Sequence, residues 1–217
     1  MALKEILIQK GKTFTLPVRW GVDPFVRKAI TGVSFATGAP RLTVTSHGMP
    51  DGWKGAIYGV IGPRQINAKN SPPRDSDYHV LTVIDANTLE LNDVTPVDDN
   101  GKDWPAYVSG GFVMWKTPKD LTGYTARIDI KDKVDGTVLL SSEVADAPLN
   151  LITATVSDAL KSTTLSISAT DTAALAFKHG VADLEMVSAG GVVTKLKLTQ
   201  GKADDPDVVR VSGEVTT

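Results

Sequence analysis

Alternation of apolar and polar residues with a period of two is the feature that most restricts the fold of this chain. Four apolar residues follow this pattern within 13–20, and it returns at 126–131, 164–168 and 192–198. A period of two places the apolar side chains on one face of an extended strand and leaves the other face to water. Burial on one side is typical of antiparallel sheets, since parallel sheets are covered on both faces.

Short turn-forming sequences separate these strands. Asp135-Gly136 lies between two strand-like runs and is the strongest hairpin signal in the chain. Short strands at regular spacing, separated by such turns, are typical of a sandwich or a barrel. The chain is therefore predicted to be all-β.

One segment has the pattern of a short helix. Ser168 or Thr170 is a suitable N-cap, and Asp171 would lie in the first turn, where the helix dipole favours a negative charge. Residues 173–176 include good helix formers, and Gly180 is a suitable stop, with His179 as the last helical residue. The sequence predicts about two helical turns here.

The middle of the chain, residues 30–115, is richer in Gly, Pro, Asn and Asp than the two flanks. Two polar stretches, 70–75 and 96–103, are predicted to be exposed loops. Strands are still indicated between them, and Asp85-Ala86-Asn87 is predicted to be the turn of a hairpin. This segment is interpreted as a small β domain inserted into a larger one, because insertion into a loop is tolerated when the ends of the insert lie close together.

Charge and composition argue against several classes of partner. The chain has 23 basic and 25 acidic residues and a net charge of -2, whereas nucleic-acid-binding proteins usually have a basic surplus. It has no cysteine, which excludes disulfides and thiolate metal sites. The first five residues lack the apolar region of a secretory signal, and no apolar run approaches the roughly 20 residues that cross a bilayer. We therefore expect neither nucleic acid nor membrane as a partner.

The candidates for catalysis or metal binding are few. His47 lies near Ser46 and Asp51, and His79 lies near Asp75, but no nucleophile-elbow motif accompanies either histidine. Asp98, Asn100 and Asp103 resemble part of a calcium loop but lack its terminal bidentate glutamate. The sequence is expected to belong to a protein that is not an enzyme, with no catalytic, cofactor-binding or metal-binding residues.

The middle segment resembles a small β module that recurs in structural proteins of tailed-phage virions. The order and spacing of the matching residues extend over about 80 residues. They are Ile30-Thr31-Gly32-Val33, Ala39-Pro40, 43–52, 58–62, Ile66-Asn67, 78–91 and 107–111. This resemblance implies a part of a virion and carries no implication of catalysis.

The flanks resemble the N-terminal domain of the baseplate upper proteins of lactococcal phages. The resemblance implies a β-sandwich that anchors tail or baseplate parts to one another. The residues that carry it are 11–16, 120–127, 135–138, 171–175, 180–185 and 190–193.

Together these patterns predict an all-β protein. Residues 1–29 and 116–217 are assigned to an immunoglobulin-like β-sandwich with one short helix, and residues 30–115 to an inserted small β-barrel-like domain. The resemblances imply a tail or baseplate adaptor in the virion, which contacts other virion proteins and copies of itself in a symmetric ring. A head decoration, collar or neck protein is the alternative within this class, and a carbohydrate- or receptor-binding module is the alternative from another class. A tail-associated hydrolase is a third hypothesis.

The expected contact surfaces are strand edges and the loops at 68–77 and 95–106, because loops commonly carry binding function. Trp53 and Trp104 stand in polar surroundings, and an exposed tryptophan marks either a protein interface or a sugar platform. The interface is the preferred interpretation. The candidate interface residues are Trp53, Arg64, Arg74, Tyr78, Trp104 and Tyr107.

Overall fold

The computed structural model describes residues 5–36, 38–98, 101–143, 149–199 and 205–213. The chain is all-β, as predicted, with 49% of its residues in strands and one α-helix in the described part. Within these ranges, no helix is long and apolar enough to cross a membrane.

The described residues form sixteen strands and the helix α1. The strands, in chain order from β1 to β16, are Ile6–Gln9, Phe14–Arg19, Gly21–Ala29, Gly32–Ser34, Arg41–Thr43, Trp53–Tyr58, Tyr78–Asp85, Thr88–Leu91, Phe112–Pro118, Thr125–Lys131, Val138–Ser141, Thr153–Ser157, Ser162–Ile167, His179–Val187, Val193–Leu196 and Asp207–Ser212. The helix α1 is Ala169–Ala174, and single 3-10 turns occupy Arg64–Ile66, Asp75–Asp77 and Leu149–Leu151.

The chain divides into two compact units. The middle unit is Gly21–Lys119, and the outer unit combines residues 2–20 with 120–217. The middle unit begins before and ends after the predicted range of 30–115. The reason is that β3 and β9 pair with each other from Gly21 and Pro118 to Ala29 and Phe112, so both strands belong to the same sheet.

The outer unit is a β-sandwich. One sheet has the order β1-β16-β14-β10-β11, with β15 also paired to β14, and the other has the order β12-β13-β2. Apolar residues from both sheets, including Ile128, Leu165 and Leu184, form one buried cluster. The alternation in the sequence therefore has its physical basis here, because every second side chain enters this core. All pairings are antiparallel except that of β1 with β16.

The hairpin predicted at Asp135-Gly136 joins β10 to β11, which confirms that prediction. Asp135 has a positive φ of 56°, a conformation that Asp adopts more readily than most residues. A Cβ at Gly136 would lie 1.9 Å from the Asp132 carboxylate, so a larger residue at this position would require the Asp132 side chain to move.

The helix α1 begins where predicted but ends earlier. Ser168 is its N-cap, and the Ser168 hydroxyl accepts a 3.1 Å hydrogen bond from the Asp171 backbone N–H. The helix ends at Ala174 because the chain becomes extended at Leu175, whose side chain is buried in the sandwich core. The prediction of Gly180 as the stop and His179 as a helical residue was wrong. Both belong to β14, where they pair with β16.

The middle unit is a seven-stranded sheet with the order β3-β9-β6-β7-β8-β5-β4. Its core is formed by Trp53, Ile57, Leu81 and Trp115 with other buried apolar residues. Asp85-Ala86-Asn87 is the turn between β7 and β8, as predicted, and the Asp85 carboxylate accepts a 2.7 Å hydrogen bond from the Asn87 backbone N–H. The two long connections of this sheet, from β6 to β7 and from β8 to β9, contain the predicted contact loops.

Candidate interaction surface

The loop at 68–77 is organised around the carboxylate of Asp77. This side chain is buried and accepts hydrogen bonds from the Lys69 backbone N–H at 3.0 Å, the Asn70 side-chain amide at 2.8 Å and the Arg74 backbone N–H at 2.8 Å. These bonds, that from Arg74 above all, hold the pKa of Asp77 below its ordinary value because they favour the ionised form. The loop is therefore held in one conformation before any partner binds.

The start of the same connection is fixed to the sheet. The Asn67 side chain makes two hydrogen bonds of 3.0 Å with the backbone of Val60, accepting from its N–H and donating to its carbonyl. The Ala68 N–H donates to the Ile57 carbonyl at 2.7 Å, and the Tyr58 hydroxyl donates to the Asn70 carbonyl at 2.9 Å. Hydrogen bonds to Ile57 and Tyr58 of strand β6 thus hold Ala68 and Asn70, and those to Val60 hold Asn67.

Two aromatic residues anchor the connection from β8 to β9. The Tyr107 hydroxyl lies 3.1 Å from the carbonyl oxygens of both Ile30 and Gly110, to which it is the available donor. Trp104 is half-buried, and its ring meets that of Phe35 edge-on at 6.4 Å. Within the described residues, the indole Nε1 of Trp104 has no hydrogen-bond partner although it is buried.

The two connections meet at an isolated β-bridge between Ile61 and Ser109. The Ile61 N–H donates to the Ser109 carbonyl at 3.0 Å, and the Val108 N–H donates to the Ile61 carbonyl at 2.9 Å. Gly62 permits this contact, because its φ is +110° and a Cβ there would lie 2.2 Å from the Ala106 carbonyl oxygen. Two segments that are distant in sequence therefore form one surface.

This contact leaves large apolar side chains in water. Ile61 is 44% exposed and Val108 is 69% exposed, and Arg64 and Ala106 beside them in sequence are also exposed. We define Ile61, Arg64, Ala106 and Val108 as the paired-loop surface. Exposed apolar side chains on a preorganised backbone suit a protein contact, since little conformational entropy is lost on binding.

The six candidate interface residues all lie in the middle unit, but they do not form one site. Arg64 belongs to the paired-loop surface, and Arg74 is exposed on the Asp77-centred loop. Tyr107 and Trp104 are half-buried anchors of the second connection. Tyr78 is half-buried at the start of β7, and burial together with the charges of Asp75, Asp23 and Asp77 raises its pKa.

The prediction that Trp53 is an exposed interface residue was wrong. Its side chain is only 4% exposed, and its indole N–H donates a 3.0 Å hydrogen bond to the Lys116 carbonyl. The polar neighbours in the sequence suggested exposure, but the alternation of β6 turns Trp53 toward the core and Lys54 toward water. Trp53 is thus a core residue of the middle unit and offers no surface to a partner.

Both histidines considered as catalytic candidates, His47 and His79, have polar partners within the middle unit. His47 is buried, and its Nδ1 accepts a 3.0 Å hydrogen bond from the Met49 N–H, so the proton lies on Nε2, which donates to the Asp85 carbonyl at 2.8 Å. His79 Nδ1 lies 3.3 Å from both carboxylate oxygens of Asp93. The Asp98 N–H donates to the Lys102 carbonyl at 2.8 Å and Asp103 forms an isolated β-bridge with Val97, whereas Asn100 lies outside the described residues. In the part of the chain that the structure describes, no three His, Cys, Asp or Glu side chains are grouped to hold a metal ion.

A second surface of the middle unit was missed from the sequence. Tyr58 and Phe112 stack with ring centroids 5.4 Å apart, and the Arg27 guanidinium lies 3.3 Å from the Phe112 centroid. All three project from the face of the sheet that is opposite the core. The signal for this face was present in the continuous apolar run from Phe112 to Trp115, which departs from alternation because both faces of β9 are apolar.

No protein-family model matches the chain, and no match to its sequence is found among curated proteins.

Proposed function

We propose that this chain is a structural, non-enzymatic component of a tailed-phage virion. In this proposal it is a tail or baseplate adaptor that anchors fibres or receptor-binding parts through protein contacts. It occupies the virion together with other tail, baseplate, fibre or neck proteins, and copies of the chain are arranged in a symmetric ring.

The observation that carries this proposal is the paired-loop surface. An adaptor needs a contact surface that is fixed in advance, and here Asn67 and Tyr107 fix the backbone next to Ile61 and Val108, whose side chains remain exposed. The two-unit all-β architecture and the resemblance of residues 30–115 to a virion module support the same proposal.

A carbohydrate platform is less well supported, because Trp53, one of the two tryptophans that could form it, is buried. Trp104 packs on Phe35 and against the core of the middle unit. The exposed groups on the paired-loop surface are aliphatic, whereas sugar platforms use aromatic rings. These observations favour a protein contact over a glycan.

The proposal is tested by charge substitutions on the paired-loop surface. We expect the double variant Ile61→Asp/Val108→Asp to fold but to be incorporated into particles at least about tenfold less than the unchanged chain, since two buried carboxylates without partners are costly in an interface. The measurement is the amount of the chain in purified particles of the phage that encodes it.

The matched control is Val134→Asp/Leu160→Asp, which places the same charges at exposed apolar positions of the outer unit. We expect this control to be incorporated normally. Equal incorporation of both double variants, or absence of the unchanged chain from purified particles, would contradict the proposal.

A further inference from the structure

The outer face of the middle sheet carries aromatic and basic side chains together. The strand register forms two neighbouring rows that run across the sheet on this face. One row consists of Arg27, Met114, Ala56 and Tyr78, and the other consists of Ala29, Phe112 and Tyr58. Residues with the opposite phase, such as Trp53 and Trp115, enter the core. We define the basic-aromatic face by the residues Phe25, Arg27, Lys54, Tyr58, Phe112 and Lys116.

No carboxylate of the described residues neutralises the cations of this face. Within the described residues, none of Arg27, Lys54 and Lys116 makes an ion pair with a carboxylate. Glu90, which follows on the same side of the sheet, is already paired with Arg41 at 2.6 Å. Asp23 is an exposed carboxylate in the bulge at the end of the face. The face as defined therefore carries three positive charges, on strands β3, β6 and β9, while the carboxylates of Asp23, Asp75 and Asp77 act on Tyr78 at its edge.

The apolar part of the face is open to a partner. Phe25 is 38% exposed, with the Lys116 ammonium 5.9 Å from its ring centroid, and Val80 is exposed opposite Lys54. Phenylalanine and valine at these positions offer contact area beside the cations. A surface that combines apolar area with unpaired cations fits a ligand that has both apolar groups and carboxylates.

The aromatic geometry favours a protein over a nucleic acid. Stacking of bases requires free ring faces. The Arg27 guanidinium covers one face of the Phe112 ring, and the Tyr58 ring stacks with the Phe112 ring. The Tyr58 hydroxyl is also committed to the Asn70 carbonyl. These rings therefore support the position of the Arg27 guanidinium and are not a platform for bases.

We propose that the basic-aromatic face is a second interaction surface, which binds an acidic segment of a partner protein. Carboxylates of that segment pair with Arg27, Lys54 and Lys116, and its apolar side chains pack on Phe25 and Val80. This inference does not depend on the virion role, because it uses only the charge and exposure of the middle sheet.

The test uses a fluorescein-labelled random copolymer of glutamate and tyrosine as the probe, with the full chain and binding measured by fluorescence anisotropy. The unchanged chain is expected to bind the copolymer, and binding is expected to weaken as salt is raised. Reversing the three charges in Arg27→Glu/Lys54→Glu/Lys116→Glu is expected to weaken binding by at least about tenfold. Lys54→Glu alone changes one exposed position, so it disturbs folding less, and it should also weaken binding of the copolymer.

The control variant is Lys133→Glu/Lys178→Glu, which reverses two exposed charges of the outer unit and should leave binding unchanged. Three outcomes would overturn the proposal: no binding of the copolymer by the unchanged chain, equal loss of binding in the control variant, or tighter binding of an oligothymidylate of matched charge.

Discussion

At the scale of single residues, Asp77 is the side chain on which the loop at 68–77 depends. One carboxylate ties three residues of the loop together, since it accepts hydrogen bonds from residues 69, 70 and 74. An asparagine amide in its place would point an NH2 group at some of these N–H donors. An NH2 group is itself a donor and cannot accept their hydrogen bonds. We expect Asp77→Asn to lower the melting temperature of the middle unit by roughly 2–8 °C. Tryptophan fluorescence reports this transition because Trp53, Trp104 and Trp115 all lie in that unit.

The same carboxylate makes the stability of the middle unit depend on pH. The folded state holds the pKa of Asp77 below its ordinary value of 3.8, so the unfolded chain takes up the proton first as pH falls. The stability that the ionised Asp77 contributes is therefore fully present above pH 3.8 and is lost as pH falls through the lower pKa of the folded state. The difference in melting temperature between the unchanged chain and Asp77→Asn should shrink as pH falls through that range. Asp103→Asn, at an exposed position, is the control, and a difference that is independent of pH would contradict this assignment.

At the scale of elements, alternation predicted strands well where only one face is buried. β2, β10 and β13 lie where their patterns indicated, and the hairpins at 135–136 and 85–87 have the expected turns. The pattern was less informative for β6 and β9, because the outer side of these strands is also apolar or aromatic. Trp53 was predicted to be exposed because its neighbours in the sequence are polar, whereas the phase of the strand decides the direction of its side chain.

The helix cap gives a prediction at the same scale, since the sequence offered two candidates and the structure uses one. Ser168→Ala removes the acceptor for the Asp171 N–H and should destabilise the outer unit by about 1 kcal/mol. Thr170→Ala, at an exposed position inside α1, should change stability by only a few tenths of a kcal/mol. Thermal unfolding followed by circular dichroism distinguishes them, and equal effects of the two substitutions would show that Ser168 is not the cap that matters.

At the scale of the whole molecule, sequence patterns predicted the all-β class and an insertion in the middle of the chain. They did not predict that Ile61 and Ser109 pair, because contacts between distant segments depend on sheet order, which alternation does not contain. The bridge joins the two connections that contain the expected contact loops, but Ile61 and Ser109 themselves lie outside the predicted ranges 68–77 and 95–106. The same limitation explains why the basic-aromatic face was missed, since its six residues come from β3, β6 and β9, which are neighbours in the sheet but not consecutive in the sequence.

We propose that this chain is built into a virion and contacts its neighbours through the paired-loop surface. Cryo-electron microscopy of the intact particle would locate the chain and the surroundings of Ile61 and Val108. We expect a ring of copies in which both side chains are buried against a neighbouring virion protein. A chain whose paired-loop surface projects into solvent at the periphery of the particle would contradict the anchoring role and favour receptor binding.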